Sequence, residues 1–284
     1  MAENLTPSAA ASGVAERPGT PETVDVAVNI FAKPFQTALS LLSLLKHSGE
    51  HVGVIWLQFE PYGSRYDAIA PYYIAHYLRE RLGERCRVFQ PDFWLAREAV
   101  DPARLGDAAY RSGIRYQYAF ERSQSRKLFL MHNDVLVLRD ILGAMLREMG
   151  EAFAVGLLGQ CWNCPAHREE LTREVMGCAA CGPLSYADFQ PGYAALRSLY
   201  TLARQRGIFV RPYDKGFADI FERRPWPLPE CRINEWACLL DLEKTRPHCA
   251  PFGPSFPPGA FQQCGSACLD ISVPWFRDMH ALGL

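Results

Sequence analysis

Two groups of residues in this chain have types and spacings suited to chemistry. The first is a polar triplet at the end of an apolar run. Lys127-Leu128-Phe129-Leu130-Met131 leads into His132-Asn133-Asp134, and Val135-Leu136-Val137-Leu138 follows. Burying an unpaired polar group costs roughly 2–7 kcal/mol, so polar side chains interrupting a core-bound strand call for a reason. Open α/β sheets bind ligands at the carboxyl ends of their strands. A carboxylate emerging there is placed to hold a divalent cation and, through it, a phosphate. The competing local reading is a turn in which Asn133 and Asp134 cap a helix beginning near Arg139.

The second group is a pair of C-x2-C knuckles, Cys161-Trp162-Asn163-Cys164 and Cys178-Ala179-Ala180-Cys181, with thirteen residues between them. Each knuckle clamps two coordination positions, and the pair suits one tetrahedral structural zinc. Buried thiols, a redox pair or an iron site are the alternatives that spacing alone leaves open. A closed four-cysteine site has no open position for catalysis, so its expected role is stability. His248-Cys249 with Cys264 and Cys268 suggests a second, less regular site. The alternative there is separate packed thiols, with Cys231 and Cys238 among them.

These residues need a scaffold, and the pattern supplies one. Val24 to Phe31 reads as a buried strand, broken by Lys33-Pro34. Phe35 to Lys46 reads as a helix with Leu39, Leu42 and Leu45 on one face, Leu41 and Leu44 beside it, and Pro34 in its first turn. Val52 to Phe59 is a second strand, Tyr72 to Leu82 a helix and Arg87 to Phe89 a short strand. Tyr110 to Phe120 reads as helix, Leu128 to Met131 as strand, Arg139 to Met149 as helix and Phe153 to Leu158 as strand. Tyr193 to Gln205 and Asn234 to Lys244 read as later helices. The alternation predicts an α/β domain: a mostly parallel, twisted sheet with helices on both faces. Residues 1–23 lack any period and read as a disordered tail. Residues 24–284 then form one domain, with 161–189 as a Cys-rich, zinc-stapled insertion.

Composition excludes several classes. The chain has 284 residues, is 49% hydrophobic and carries a formal net charge of -1. That is ample for one large core, and it lacks the basic excess expected of a nucleic-acid partner. No apolar run reaches the roughly 18 residues of a membrane helix, and the opening residues lack an export signal, so the expected location is cytoplasmic. Ten cysteines in such a setting favour metal ligands and buried thiols over disulfides. Neither a P-loop nor a Gly-x-Gly-x-x-Gly fingerprint is present.

The order of these features resembles GT-A-fold glycosyltransferases, particularly the family 2 type. The shared order is a first strand with its loop and Leu-rich helix, a second strand with a polar loop, and then a strand ending in an Asp-bearing triplet before Val-x-Val. The likeness covers roughly residues 24–160. The family's triplet is Asp-x-Asp. Asp134 matches its second acid, and His132 stands where the first acid normally is. The resemblance implies a nucleotide-sugar donor and an unidentified acceptor hydroxyl. It also implies a Mn2+ or Mg2+ ion at Asp134, with His132 and a late histidine, His280, as further ligands. Asn29, Lys33, Gln58, Glu60, His132 and Asn133 then fall where the family holds the nucleotide. It implies a carboxylate base at the start of a late helix, matched by Glu235, and inversion at the anomeric carbon. Asp188 and Asp241 are alternative bases. A non-catalytic nucleotide-binding or scaffold relative, a nucleotidyltransferase and a zinc-ribbon nucleic-acid module are the rival classes.

Overall fold

The computed structural model describes residues 22–60, 69–95, 99–158, 169–177, 193–207, 233–264 and 267–284. In chain order the elements are β1 (Val24–Ile30), α1 (Pro34–Ser48), β2 (Val52–Phe59), α2 (Ile69–Leu82), β3 (Cys86–Phe89), α3 (Ala108–Ser112), α4 (Gln117–Arg122), β4 (Lys127–His132), α5 (Ile141–Met149) and β5 (Ala154–Leu158). They continue with α6 (Glu169–Met176), α7 (Tyr193–Gln205), β6 (Ile233–Asp241), α8 (Leu242–Thr245), β7 (Gln262–Cys264), β8 (Ala267–Leu269) and α9 (Val273–Ala281).

The main sheet has six strands in the order β3-β2-β1-β4-β6-β5. β3, β2, β1 and β4 run parallel, whereas β6 is antiparallel to both of its neighbours. This is the expected α/β architecture with a mostly parallel sheet. Alternation along the strands sends side chains to two apolar layers. Val24, Val26, Val28 and Ile30 of β1 pack with Leu41 and Leu44 of α1, Leu78 and Leu82 of α2, and Leu142 and Met145 of α5. Ala27 of β1 and Leu128 and Leu130 of β4 pack on the opposite face with Tyr116, Phe120 of α4, and Trp275 and Met279 of α9. Each large buried side chain contributes about 1.5–3 kcal/mol.

Helix α1 corrects one expectation. Its buried face is Thr37, Ser40, Leu41, Ser43, Leu44 and Ser48, while Leu39 is 56% exposed and Leu42 is also exposed. The hydroxyls face inward because they serve the chain that follows β4. Ser43 Oγ accepts from Val137 N at 3.0 Å, and Ser48 Oγ donates to Asp140 Oδ1 at 2.9 Å.

Three further expectations change. The segment from Asn234 is not a helix: it forms the nine-residue strand β6, and helix resumes only in the single turn α8. Pairing on both sides, with β4 and β5, outweighs the helical propensity of its Glu, Ala and Leu residues. Tyr110 to Phe120 is two short helices, α3 and α4, parted at Tyr116, whose φ is 61°. Helix α5 is capped by Asp140, which accepts from Gly143 N at 2.9 Å. Asn133 and Asp134 therefore do not cap it.

The tail over 1–21 and all four knuckle cysteines, Cys161, Cys164, Cys178 and Cys181, lie outside the described residues, as do Asp188 and Cys231. Cys238 and Cys249 are buried in the apolar layer around Trp275. Burial pushes the Cys249 thiol up to about 12, so it stays a neutral thiol at ordinary pH. Cys264 and Cys268 stand on the paired strands β7 and β8.

Candidate functional site

The parallel strands deliver their carboxyl ends to one edge, and polar residues stand there in a row. Asn29 of β1 is in register with Gln58 of β2 on one side and with His132 of β4 on the other. All three continue the face that carries Trp56, Ala27 and Leu130 two residues earlier, so they cap the apolar layer around Trp275. One step beyond β2 lies Glu60, whose backbone N donates to Ile30 O at 3.1 Å.

Glu60 is 2% exposed. Its Oε1 accepts from Asn29 Nδ2 at 2.5 Å and lies 3.3 Å from Arg115 Nε. Burial pushes its carboxyl up to about 7, against the opposing pull of Arg115, the Asn29 hydrogen bond and His132. A carboxyl so placed is divided between its neutral and charged forms near pH 7. Gln58 has a different task. Its Nε2 donates to Ser112 O at 3.1 Å and to Ile114 O at 2.9 Å, which pins the turn that presents Arg115 and Tyr116. Tyr116 is buried, and burial, with Glu235 next in weight, pushes its phenol well above the usual value.

Glu235 reaches this cluster through an irregularity in β6. Gly156 of β5 faces Cys238, yet Leu158 faces Ile233, so two steps on β5 span five on β6. Asn234 Oδ1 accepts from Trp236 N at 3.1 Å within that kink. The extra residues turn Glu235 toward the same face as Ile233 and Cys238. Its Oε1 lies 3.5 Å from His132 Nε2. Glu235 is 3% exposed, whereas the His132 side chain is only half-buried.

The second arm of the site is the loop after β1. Ala32 and Lys33 adopt left-handed backbone, with φ of 48° and 57°. Asn133 fastens it: Nδ2 donates to Ala32 O at 3.1 Å and to Thr37 Oγ1 at 2.9 Å. Thr37 in turn donates to Lys33 O from both N and Oγ1, each at 2.9 Å. Asn133 is buried and so acts as a clasp. Lys33 Nζ meets Asp134 Oδ2 at 2.6 Å, with both side chains substantially open to solvent.

The sequence-level candidates therefore separate. Asn29, Glu60, His132 and Glu235 are brought into one buried cluster, Lys33 and Asp134 pair beside it, and Gln58 and Asn133 brace backbone. His280 lies on α9, and its side chain is outside what is described. Asp241 is at the opposite end of β6, opposite Lys127, where it caps α8. Arg115 and Tyr116 were missed as individual residues. The one sequence signal for them is the aromatic-rich stretch from Tyr110 to Phe120.

A divalent ion at Asp134 is poorly served by the described residues. Asp134 is held by Lys33, and His132 Nε2 faces Glu235. Among the described residues, the closely grouped potential ligand set is Glu50, His51 and Asp140. It lies away from the row, at the amino ends of β2 and α5, with Asp140 already accepting from Ser48 and Gly143.

No protein-family model matches the sequence, and no curated protein matches it. Among solved structures, the chain is similar to a mannosyltransferase from Pyrobaculum calidifontis in complex with GDP-Man and Mn2+, at 11% identity and a TM-score of 0.43 over 84% of this chain. It is similar to mouse xyloside xylosyltransferase 1 at 16% identity and a TM-score of 0.33 over 78% of this chain, which covers 69% of that one. A mannosyltransferase from S. cerevisiae, Ktr4p, gives 10% identity and a TM-score of 0.36 over 83% of this chain. The chain spans 50% of the Pyrobaculum protein and 60% of the yeast one.

Proposed function

We propose that the protein is a glycosyltransferase that moves a sugar from a nucleoside-diphosphate donor to an acceptor hydroxyl. The observation that carries this reading is the convergence of Asn29, Glu60, His132, Glu235 and the Lys33–Asp134 pair at the carboxyl edge of β1, β2, β4 and the kinked start of β6. The strand order, with β6 antiparallel beside β4, supports the GT-A resemblance of the sequence.

In this reading the donor lies across the ends of β1 and β2, with its diphosphate toward Lys33 and Asp134. The acceptor oxygen attacks the anomeric carbon from the face opposite the diphosphate. The bond from that carbon to the diphosphate oxygen breaks, and the nucleoside diphosphate leaves with the electron pair. The acceptor proton passes to His132, and Glu235 stabilises the imidazolium that forms, as a buried carboxylate does behind a general base. Single displacement of this kind inverts the anomeric centre.

Purified protein should be melted in the presence of UDP-, GDP-, CMP- and dTDP-sugars, and then assayed for release of the nucleotide. We expect at least one donor to raise the melting temperature. Glu235→Gln should keep that binding and lower turnover by roughly 10²–10⁴-fold. If no donor raises the melting temperature, or Glu235→Gln retains full turnover, the assignment fails. For the knuckles Cys161/Cys164 and Cys178/Cys181 we infer a structural zinc from spacing. Elemental analysis should find about one zinc per chain, lost on substituting any of the four cysteines.

A further inference from the structure

We infer that the Lys33 ammonium is the cation of the donor site, standing in place of a divalent ion and binding the donor's diphosphate directly. The inference rests on the sugar-transfer reading and specifies how that site handles charge. Lys33 Nζ lies 2.6 Å from Asp134 Oδ2, with side-chain exposures of 45% and 39%. An ammonium has three donors. Asp134 accepts from one of them, and the lysine side chain is 45% exposed.

The charge arithmetic agrees. The Asp-x-Asp arrangement pairs two negative charges with a divalent ion. This chain has one acid, Asp134, because His132 replaces the other, and it has one fixed positive charge beside it. The Lys33–Asp134 pair itself sums to zero, so a diphosphate meets no uncompensated carboxylate at that place. His132 is directed to Glu235 at 3.5 Å, and among the described residues Asp134 is the acid paired with Lys33.

The backbone is arranged to present this lysine. Left-handed conformation costs a non-glycine residue roughly 1–2 kcal/mol, and two consecutive residues, Ala32 and Lys33, bear it. Such strain persists where surrounding bonds hold it, here those from Asn133 and Thr37. The result aims the Lys33 stem back across to the end of β4. Helix α1 starts at the next residue with no side-chain cap and no acid in its first turn. Its N-terminal dipole adds to the positive potential at the same place.

The test is titration calorimetry with GDP and UDP as probes, on wild type, Lys33→Met and Lys33→Arg, each in EDTA and in Mn2+. Thermal melts check that the variants fold. Wild type should bind one probe in EDTA with an affinity that Mn2+ changes by less than about threefold. Lys33→Met should lose about 10–100-fold in EDTA, the usual worth of a hydrogen bond to a charged group. It should recover part of this with Mn2+, because Asp134 is released. Lys33→Arg should stay within about tenfold of wild type. Binding that wild type loses in EDTA and regains with Mn2+ overturns the inference while leaving sugar transfer standing. Unchanged binding by Lys33→Met does the same. Failure of every nucleotide to bind in either condition removes the sugar-transfer reading and this inference together.

Discussion

Glu60 gives the protein a stability term that depends on pH, and its size follows from the structure. Its carboxyl is pushed from the usual 4.5 up to about 7, mainly by burial. Below pH 4.5 both folded and unfolded chains hold the proton, and the side chain carries no penalty. Between 4.5 and 7 the unfolded chain releases it while the folded chain retains it, so raising the pH favours unfolding. Above about 7 both forms are ionised, and the full cost is present. The displacement, at about 1.4 kcal/mol per pH unit, amounts to about 3 kcal/mol. Glu60→Gln mimics the protonated acid: its carbonyl can accept from Asn29 and Arg115, and its amide occupies the place of Oε2, which has no hydrogen-bond partner among the described residues. The variant should match wild type at pH 4 and exceed it by about 3 kcal/mol at pH 8. For a chain of this size that is roughly 5–10 °C in melting temperature. Paired melts at pH 4, 5, 6, 7 and 8 measure the gap directly. A gap that stays flat across the series, or a variant less stable than wild type at pH 8, refutes a buried, proton-retaining Glu60.

Other consequences are simpler to measure. Leu41 is fully buried and Leu39 is 56% exposed; Leu41→Ala should cost about 2–5 kcal/mol in denaturant unfolding and Leu39→Ala less than about 1 kcal/mol. The opposite ranking would return α1 to the orientation its leucine spacing suggests. Asp25 is buried and accepts from Val54 N, Trp56 Nε1, Ser123 Oγ and Ser125 Oγ at 2.8–3.0 Å. Asp25→Ala leaves a main-chain N–H and an indole N–H without their acceptor and should cost at least about 3 kcal/mol. A cost below about 1 kcal/mol, read from chemical unfolding, would contradict that network.

Part of this architecture was legible locally. β1 and β2 show as apolar runs, Pro34 marks the first turn of α1, and the Lys127–Asp134 stretch announces a strand ending in polar residues. These signals are carried by neighbours in sequence. The site was legible to the same depth: Asn29, Glu60, His132 and Asp134 stand at strand ends, where the β-α-β pattern puts a cleft. Glu235 was picked out as a candidate carboxylate but on the wrong element. Its segment is rich in helix formers, and nothing local reports the two partner strands that flatten it into β6.

What the sequence by itself determined was the class of sheet, the positions where strands end and the polar residues standing there. All of these follow from hydrophobic periodicity and chain breakers. The tertiary structure alone decided what those residues do for one another. It turned Glu235 onto His132 through a kink set by the pairing of β5, and it tied Asn133 to a loop 101 residues away. It also closed Lys33 on Asp134 across the same separation. It pointed the hydroxyls of α1 inward because the chain after β4 needs their bonds. A carboxylate's partner, burial and proton affinity depend on atoms that only folding brings within a few ångströms. That is the physical reason no reading of spacing alone can assign them.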